Sequence, residues 1–136
     1  MANKTIQGSC LCGQVAYAIS GPINCFMQCH CSRCRKMSGT AYASNLFVDA
    51  ASVEWIRGED AVLRYDLPSA EKFATAFCRT CGSHMPHRTR NGSAYVIPAG
   101  ALDDDPGVTP ERIIYWASRA PWFVHTDTLE ARDVGL

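Results

Sequence analysis

Apolar and polar residues alternate along this chain in short runs bounded by Gly, Pro, Asn and Asp, and nowhere do they follow a sustained helical period. Val15-Ala16-Tyr17-Ala18-Ile19 stops at Gly21-Pro22, and Ile23 to Cys29 alternates again. Val53 to Ile56, Val62 to Tyr65, Phe73 to Phe77, Tyr95 to Pro98 and Ile113 to Trp116 supply further runs rich in β-branched and aromatic residues. The expected fold class is therefore mainly β. Only Ser32 to Ser38, stopped by Gly39, predicts a short helical turn. Asp103-Asp104-Asp105-Pro106-Gly107 is expected to be a solvated surface turn with no function of its own.

Length and composition narrow this picture. With 136 residues, 47% of them apolar, the chain can bury one proper core, so residues 1–136 are expected to form a single domain. Formal net charge is zero and the pI is near 6.9, which leaves no basic field to hold a nucleic acid or an anionic membrane. No nucleic-acid or membrane partner is expected, and the sequence leaves the oligomeric state open. The N-terminus has no apolar leader-like stretch, and no segment approaches the roughly 20 apolar residues of a membrane span, so a cytoplasmic location is expected. A Ser-His-Asp pattern, a phosphate loop and a dinucleotide fingerprint are all lacking, which removes support for hydrolase, kinase and NAD-enzyme readings.

Cysteine changes the picture most. Eight cysteines in so short a chain imply disulfides or metal ligation, and a reducing compartment favours metal. Seven of the eight cluster, as Cys10-Leu11-Cys12, Cys29-His30-Cys31-Ser32-Arg33-Cys34 and Cys78-Arg79-Thr80-Cys81, at spacings that let sulfurs converge on tetrahedral zinc. On an extended strand Cys29 and Cys31 share a face and His30 points away, which makes His30 a poor ligand. Cys25 shares that face but stands about 13 Å from Cys29 along the strand, too far for one metal, and is expected to be a buried core thiol. Cys29, Cys31 and Cys34 then form a three-thiolate zinc site with an open fourth position. Cys10, Cys12, Cys78 and Cys81 make a closed four-thiolate structural zinc site, each pair followed by a glycine, Gly13 and Gly82.

Gly8-x-Cys10-x-Cys12-Gly13, Cys29-His30-Cys31-x-x-Cys34-Arg35 and Phe77-Cys78-x-x-Cys81-Gly82-Ser83 occur in that order, and Gly100-Ala101-Leu102-Asp103-Asp104, Ala120-Pro121-Trp122-Phe123 and Asp127-Thr128-Leu129 follow. In these motifs the chain resembles the glutathione-dependent formaldehyde-activating enzyme family from about residue 7 to 129. The resemblance implies a zinc-binding domain of the β-tent, Mss4-like type, with Cys10, Cys12, Cys78 and Cys81 as structural ligands and Cys29, Cys31 and Cys34 as the catalytic or labile set. It also implies carbon-sulfur lyase chemistry of the S-(hydroxymethyl)glutathione synthase type, in which a glutathione-like thiol adds to formaldehyde or another small carbonyl. Three thiolates already outweigh the charge of one zinc ion, so nearby cations would help, and Arg33, Arg35 and Lys36 are candidates to receive substrate carboxylates. His84, His87 and His125 are expected to be surface or packed residues, not general bases, and Trp122-Phe123 is a candidate pocket border. Three other readings remain: a non-catalytic zinc module that binds another macromolecule, a zinc-thiol enzyme acting on a different thiol or electrophile, and, ranked last, a redox thiol cluster with Cys25 as resolving partner.

Overall fold

The structure is a computed structural model that describes residues 4–135. Met1, Ala2, Asn3 and Leu136, which belong to the expected 1–136 domain and to the stretch searched for a leader, lie outside the described residues. Ten strands and one α-helix follow one another as β1 Ile6–Ser9, β2 Ala16–Ile19, β3 Ile23–Cys29, α1 Ser32–Ser38, β4 Ala43–Asp49, β5 Val53–Arg57, β6 Val62–Asp66, β7 Ala74–Cys78, β8 His87–Arg88, β9 Ala94–Pro98 and β10 Arg112–Ile114. The expected mainly β class holds. All the anticipated runs form strands, with ends displaced by a residue or two, and α1 stops at Gly39, whose amide bonds back to the Arg35 carbonyl at 2.8 Å.

The strands pair as a three-stranded sheet β1-β2-β5, a five-stranded sheet β10-β3-β4-β9-β8 and a two-stranded ribbon β6-β7. Every pairing is antiparallel except β10 with β3, where Ile114 lies opposite Cys29. All three sheets feed one main core, whose fully buried members include Tyr17, Ile19, Leu46, Val48, Met85 and Ile97. Complete burial of each such side chain stabilises the fold by about 1.5–3 kcal/mol.

Strand periodicity makes the five-stranded sheet two-faced. Leu46 and Val48 of β4 and Tyr95 and Ile97 of β9 enter the core, while Ala43, Asn45 and Phe47 of β4 and Val96 and Pro98 of β9 floor a cavity on the opposite side. β4, the central strand, is absent from the expected runs; its first residues, Ala43-Ser44-Asn45, are small and polar, with low β propensity. Those small and polar residues form a strand because they are flanked on both sides by β3 and β9.

Two further expectations are corrected. Cys25 is half-buried and stands outside the core clusters, since it lies on β3 next to a register irregularity between Ile23 and Cys25. The acidic loop also does more than contact water. Asp103 accepts the Ser9 hydroxyl at 2.8 and 3.0 Å, Asp104 accepts the Gln7 amide at 2.8 Å, and the Asp103 amide donates to the Gln7 carbonyl at 2.8 Å. The loop thus laces β1 to the body of the domain, and its charge is offset by donors, not only by solvent. No helix among the described residues is long and apolar enough to cross a membrane.

Candidate functional site

All eight cysteines are free, and seven gather into two groups, Cys10-Cys12-Cys78-Cys81 and Cys29-Cys31-Cys34, within each of which the sulfurs lie inside 4.8 Å of one another. The four-cysteine group is built from two knuckles. In the first, the Gly13 amide donates to the Cys10 carbonyl at 3.0 Å, and in the second the Gly82 amide donates to the Cys78 carbonyl at 2.8 Å. Both glycines take positive φ, 80° and 76°, a conformation costly for any side-chain-bearing residue. Sulfur separations are 3.5 Å for Cys10–Cys12 and 3.9 Å for Cys12–Cys78. Tetrahedral zinc with bonds near 2.3 Å requires sulfurs about 3.8 Å apart, so the set fits such an ion. The Val15 amide donates to Cys10 Sγ at 3.2 Å. Hydrogen bonding by the Ser83 hydroxyl, then by the Ser83 and Cys12 amides, lowers the Cys81 thiol to about 5, which favours the thiolate that ligates metal.

The second group arises differently from the strand arrangement expected. β3 ends at Cys29, and Cys31 is the N-cap of α1, its Sγ accepting the Cys34 amide at 3.3 Å while its carbonyl takes the Arg35 amide at 3.0 Å. Convergence therefore comes from a capped first helical turn and not from a shared strand face. Cys29 and Cys34 are buried and Cys31 half-buried, with Ala43, Phe73 and Ile114 packed around them. The Cys34 thiol, assisted by the Cys31 amide and thiol, lowers Cys29 to about 6, and the same contact holds the Cys34 proton in place. Between Cys29 and Cys34, the thiolate therefore falls on Cys29.

All three of these cysteines line an open cavity of about 1680 Å³. Its floor is the outward face of the five-stranded sheet, and its walls include the β6–β7 connection through Glu71, Lys72 and Phe73. The guanidinium of Arg90 holds that connection by donating to the Leu67 carbonyl at 2.7 Å, the Glu71 carbonyl at 3.0 Å and the Ala70 carbonyl. The expected basic trio separates. Arg33 lines the cavity, Lys36 is exposed elsewhere, and Arg35 is half-buried with its Nε unpaired among the described residues. Lys72, His84, His87 and Arg90 also line the cavity; they stand 38 or more positions beyond Cys34, which hid their proximity to the three-cysteine motif. His87 is held near 4 by burial and the neighbouring Arg64, against the opposing pull of Asp66.

His30 does turn away from the sulfurs, as expected, and is fully buried. Trp122 and Phe123 do not border the cavity: Trp122 is 63% exposed and Phe123 packs on the His30 ring. Tyr115 lines the cavity instead, at the one non-glycine positive φ among the described residues, 56°.

A mainly β frame that gathers two separate thiol clusters, one tying distant segments together and one facing a cavity, defines a small β protein with two cysteine groups able to hold metal, one of them accessible. More particularly, the chain belongs to the glutathione-dependent formaldehyde-activating enzyme family, whose profile matches residues 5–118. A crystal structure of a Rhodobacter sphaeroides protein, a structural-genomics target, superposes with a TM-score of 0.60 at 24% identity, covering 79% of this chain and 97% of that one. That likeness is one of fold. No curated protein matches the chain.

Proposed function

We propose that this protein is a zinc-dependent enzyme of the carbon-sulfur lyase type that joins a glutathione-like thiol to formaldehyde or another small carbonyl. The observation that carries the proposal is that Cys29, Cys31 and Cys34, three possible ligands with no fourth donor grouped with them among the described residues, line a cavity large enough for both reactants. Cys10, Cys12, Cys78 and Cys81 are assigned to structural zinc, and the cavity triad to a labile or catalytic zinc. The whole chain, 1–136, is read as one such domain working in the reducing cytoplasm.

Zinc, when held by the triad, supplies positive charge that favours the thiolate form of an incoming thiol at neutral pH. The cavity holds the thiol sulfur and the carbonyl carbon together, which removes most of the entropic cost of their encounter. A sulfur lone pair forms the new S–C bond, the carbonyl π electrons move to oxygen, and the proton given up by the thiol ends on that oxygen. Nothing is oxidised or reduced, and the product is an S-hydroxymethyl thioether when the carbonyl is formaldehyde. Arg33 and Lys72, the cavity cations not engaged with backbone carbonyls, are assigned to substrate carboxylates. Phe73, Ala43 and Ile114 shield the sulfurs from bulk water on their packed side.

The test is zinc content per chain with and without glutathione, for wild type and Cys31→Ser, followed by formaldehyde turnover. Two zinc ions in wild type, one in a folded Cys31→Ser, and a glutathione effect confined to the Cys31-dependent ion support the proposal. One zinc in both proteins and no response to glutathione would instead favour a non-catalytic zinc module.

A further inference from the structure

His30 lies between two of the assigned ligands, Cys29 and Cys31, and is 0% exposed. Neither ring nitrogen has a hydrogen-bond partner among the described residues. Burial, with the Arg119 and Arg35 cations nearby, lowers its pKa and so favours the uncharged ring. A buried imidazole with two idle nitrogens costs free energy relative to an apolar ring of similar shape, so its place must be explained by its faces and edges.

Those surfaces are fully used. Tyr42 lies with its centroid 4.9 Å away, Phe123 at 5.0 Å and Trp116 at 5.2 Å, the last two edge-on at 89° and 79°. Trp116 and Phe123 also pack on each other, 5.4 Å apart at 87°. Both belong to the segment that follows β10, and β10 is itself hydrogen-bonded alongside the end of β3. The His30 amide donates to the Ile114 carbonyl at 3.0 Å, so backbone and ring of one residue are both gripped by the C-terminal segment. The peptide units on either side of His30 lead directly to Cys29 and Cys31, so a backbone shift that draws the ring out of its cage would displace both sulfurs.

We infer that His30 is a positioning residue, an aromatic peg by which Tyr42, Trp116 and Phe123 hold the Cys29–Cys31–Cys34 turn in the geometry that retains metal. The inference rests on the assignment of that triad as a metal site. Its agent is ring packing and not the imidazole nitrogens, which makes two substitutions of the same residue behave differently. His30→Ala empties the cage. His30→Phe refills it without a polar atom.

The experiment loads full-length wild type, His30→Ala, His30→Phe and Phe123→Ala with zinc, then follows transfer of zinc to a chromogenic chelator together with thermal melting. Replacement of zinc by cobalt gives each site a separate thiolate-to-metal absorption band. Wild type should release one zinc readily and one slowly. His30→Ala and Phe123→Ala should release the first at least about 10-fold faster, the scale on which supporting residues alter metal affinity, while the slow ion is unchanged. His30→Phe should release it within about 2-fold of wild type. Phe123 lies outside the main core, so its variant reports on the site even where His30→Ala fails to fold. Equal release from wild type and Phe123→Ala would overturn the inference, as would a His30→Phe protein that loses its labile zinc as fast as His30→Ala. Wild type that binds only one zinc overturns the site assignment itself, an outcome distinct from two well-bound ions that ignore the cage.

Discussion

The two thiol clusters are made from the same residue type and differ in how the chain assembles them. Cys12 and Cys78 stand 66 positions apart yet their sulfurs are 3.9 Å apart, and the Leu11 amide donates to the Ser83 hydroxyl at 2.9 Å to join the same two knuckles. Closing so long a loop removes a large part of the disorder of the unfolded chain, so metal bound there stabilises the fold as a whole. Cys29, Cys31 and Cys34 span six positions of sequence and close almost no loop. Their convergence is a local property of a strand end and an N-cap, and their outer side opens to the cavity. On the proposed assignment, metal held by the first cluster would carry the stability of the fold, and the second would be left free to exchange ligands.

This contrast can be broken most severely at Cys78, which is completely buried. Cys78→Ser should lose both ion and fold, since structural thiolate sites contribute on the order of 10 kcal/mol of apparent binding energy. Circular dichroism and calorimetry in the presence of zinc should show no cooperative transition. Cys31→Ser should instead abolish thiol-addition activity while lowering the melting temperature by only about 5 °C or less, the scale of roughly 1 kcal/mol in a domain of this size. A Cys31→Ser protein that unfolds like Cys78→Ser would erase the distinction between the clusters.

Smaller changes sharpen it. Asp103→Ala removes the acceptor for the Ser9 hydroxyl beside Cys10 and should cost about 1–2 kcal/mol in chemical denaturation. It should loosen the four-cysteine zinc without altering turnover. The mildest effect is expected at His87, on the cavity wall. Its folded pKa of about 4 lies below the ordinary 6.5, so its contribution is complete above 6.5 and declines as pH falls from 6.5 toward 4, because the unfolded chain takes up the proton first. Discounted for partial exposure, the change is about 1 kcal/mol, and the stability of His87→Gln should fall less steeply across that window than that of wild type.

Much of the architecture could be read in advance because it is local. Two-residue alternation located seven of the strands, and the Ser32–Gly39 stretch carried both the helix and its stop. β1, β4 and β8 escaped because their strand character comes from neighbours: Ala43-Ser44-Asn45 is extended only between β3 and β9, and His87–Arg88 only against β9. The grouping of the cysteines was legible from spacing, with the coordination argument supplying the pairing of Cys10 and Cys12 with Cys78 and Cys81.

By itself, the sequence determined seven of the ten strands, the short helix and, once the coordination argument is added, which sulfurs belong together, because period, capping and ligand spacing act over a few residues. Tertiary structure alone decided the remainder. It split Arg33 from Arg35 and Lys36, brought Lys72 and His87 to the cavity, bound the acidic loop to β1 and enclosed His30 in rings from Tyr42, Trp116 and Phe123. Each of those outcomes joins segments far apart in sequence, and such contacts are set by how the three sheets bury their apolar faces on one core, a property no local window contains.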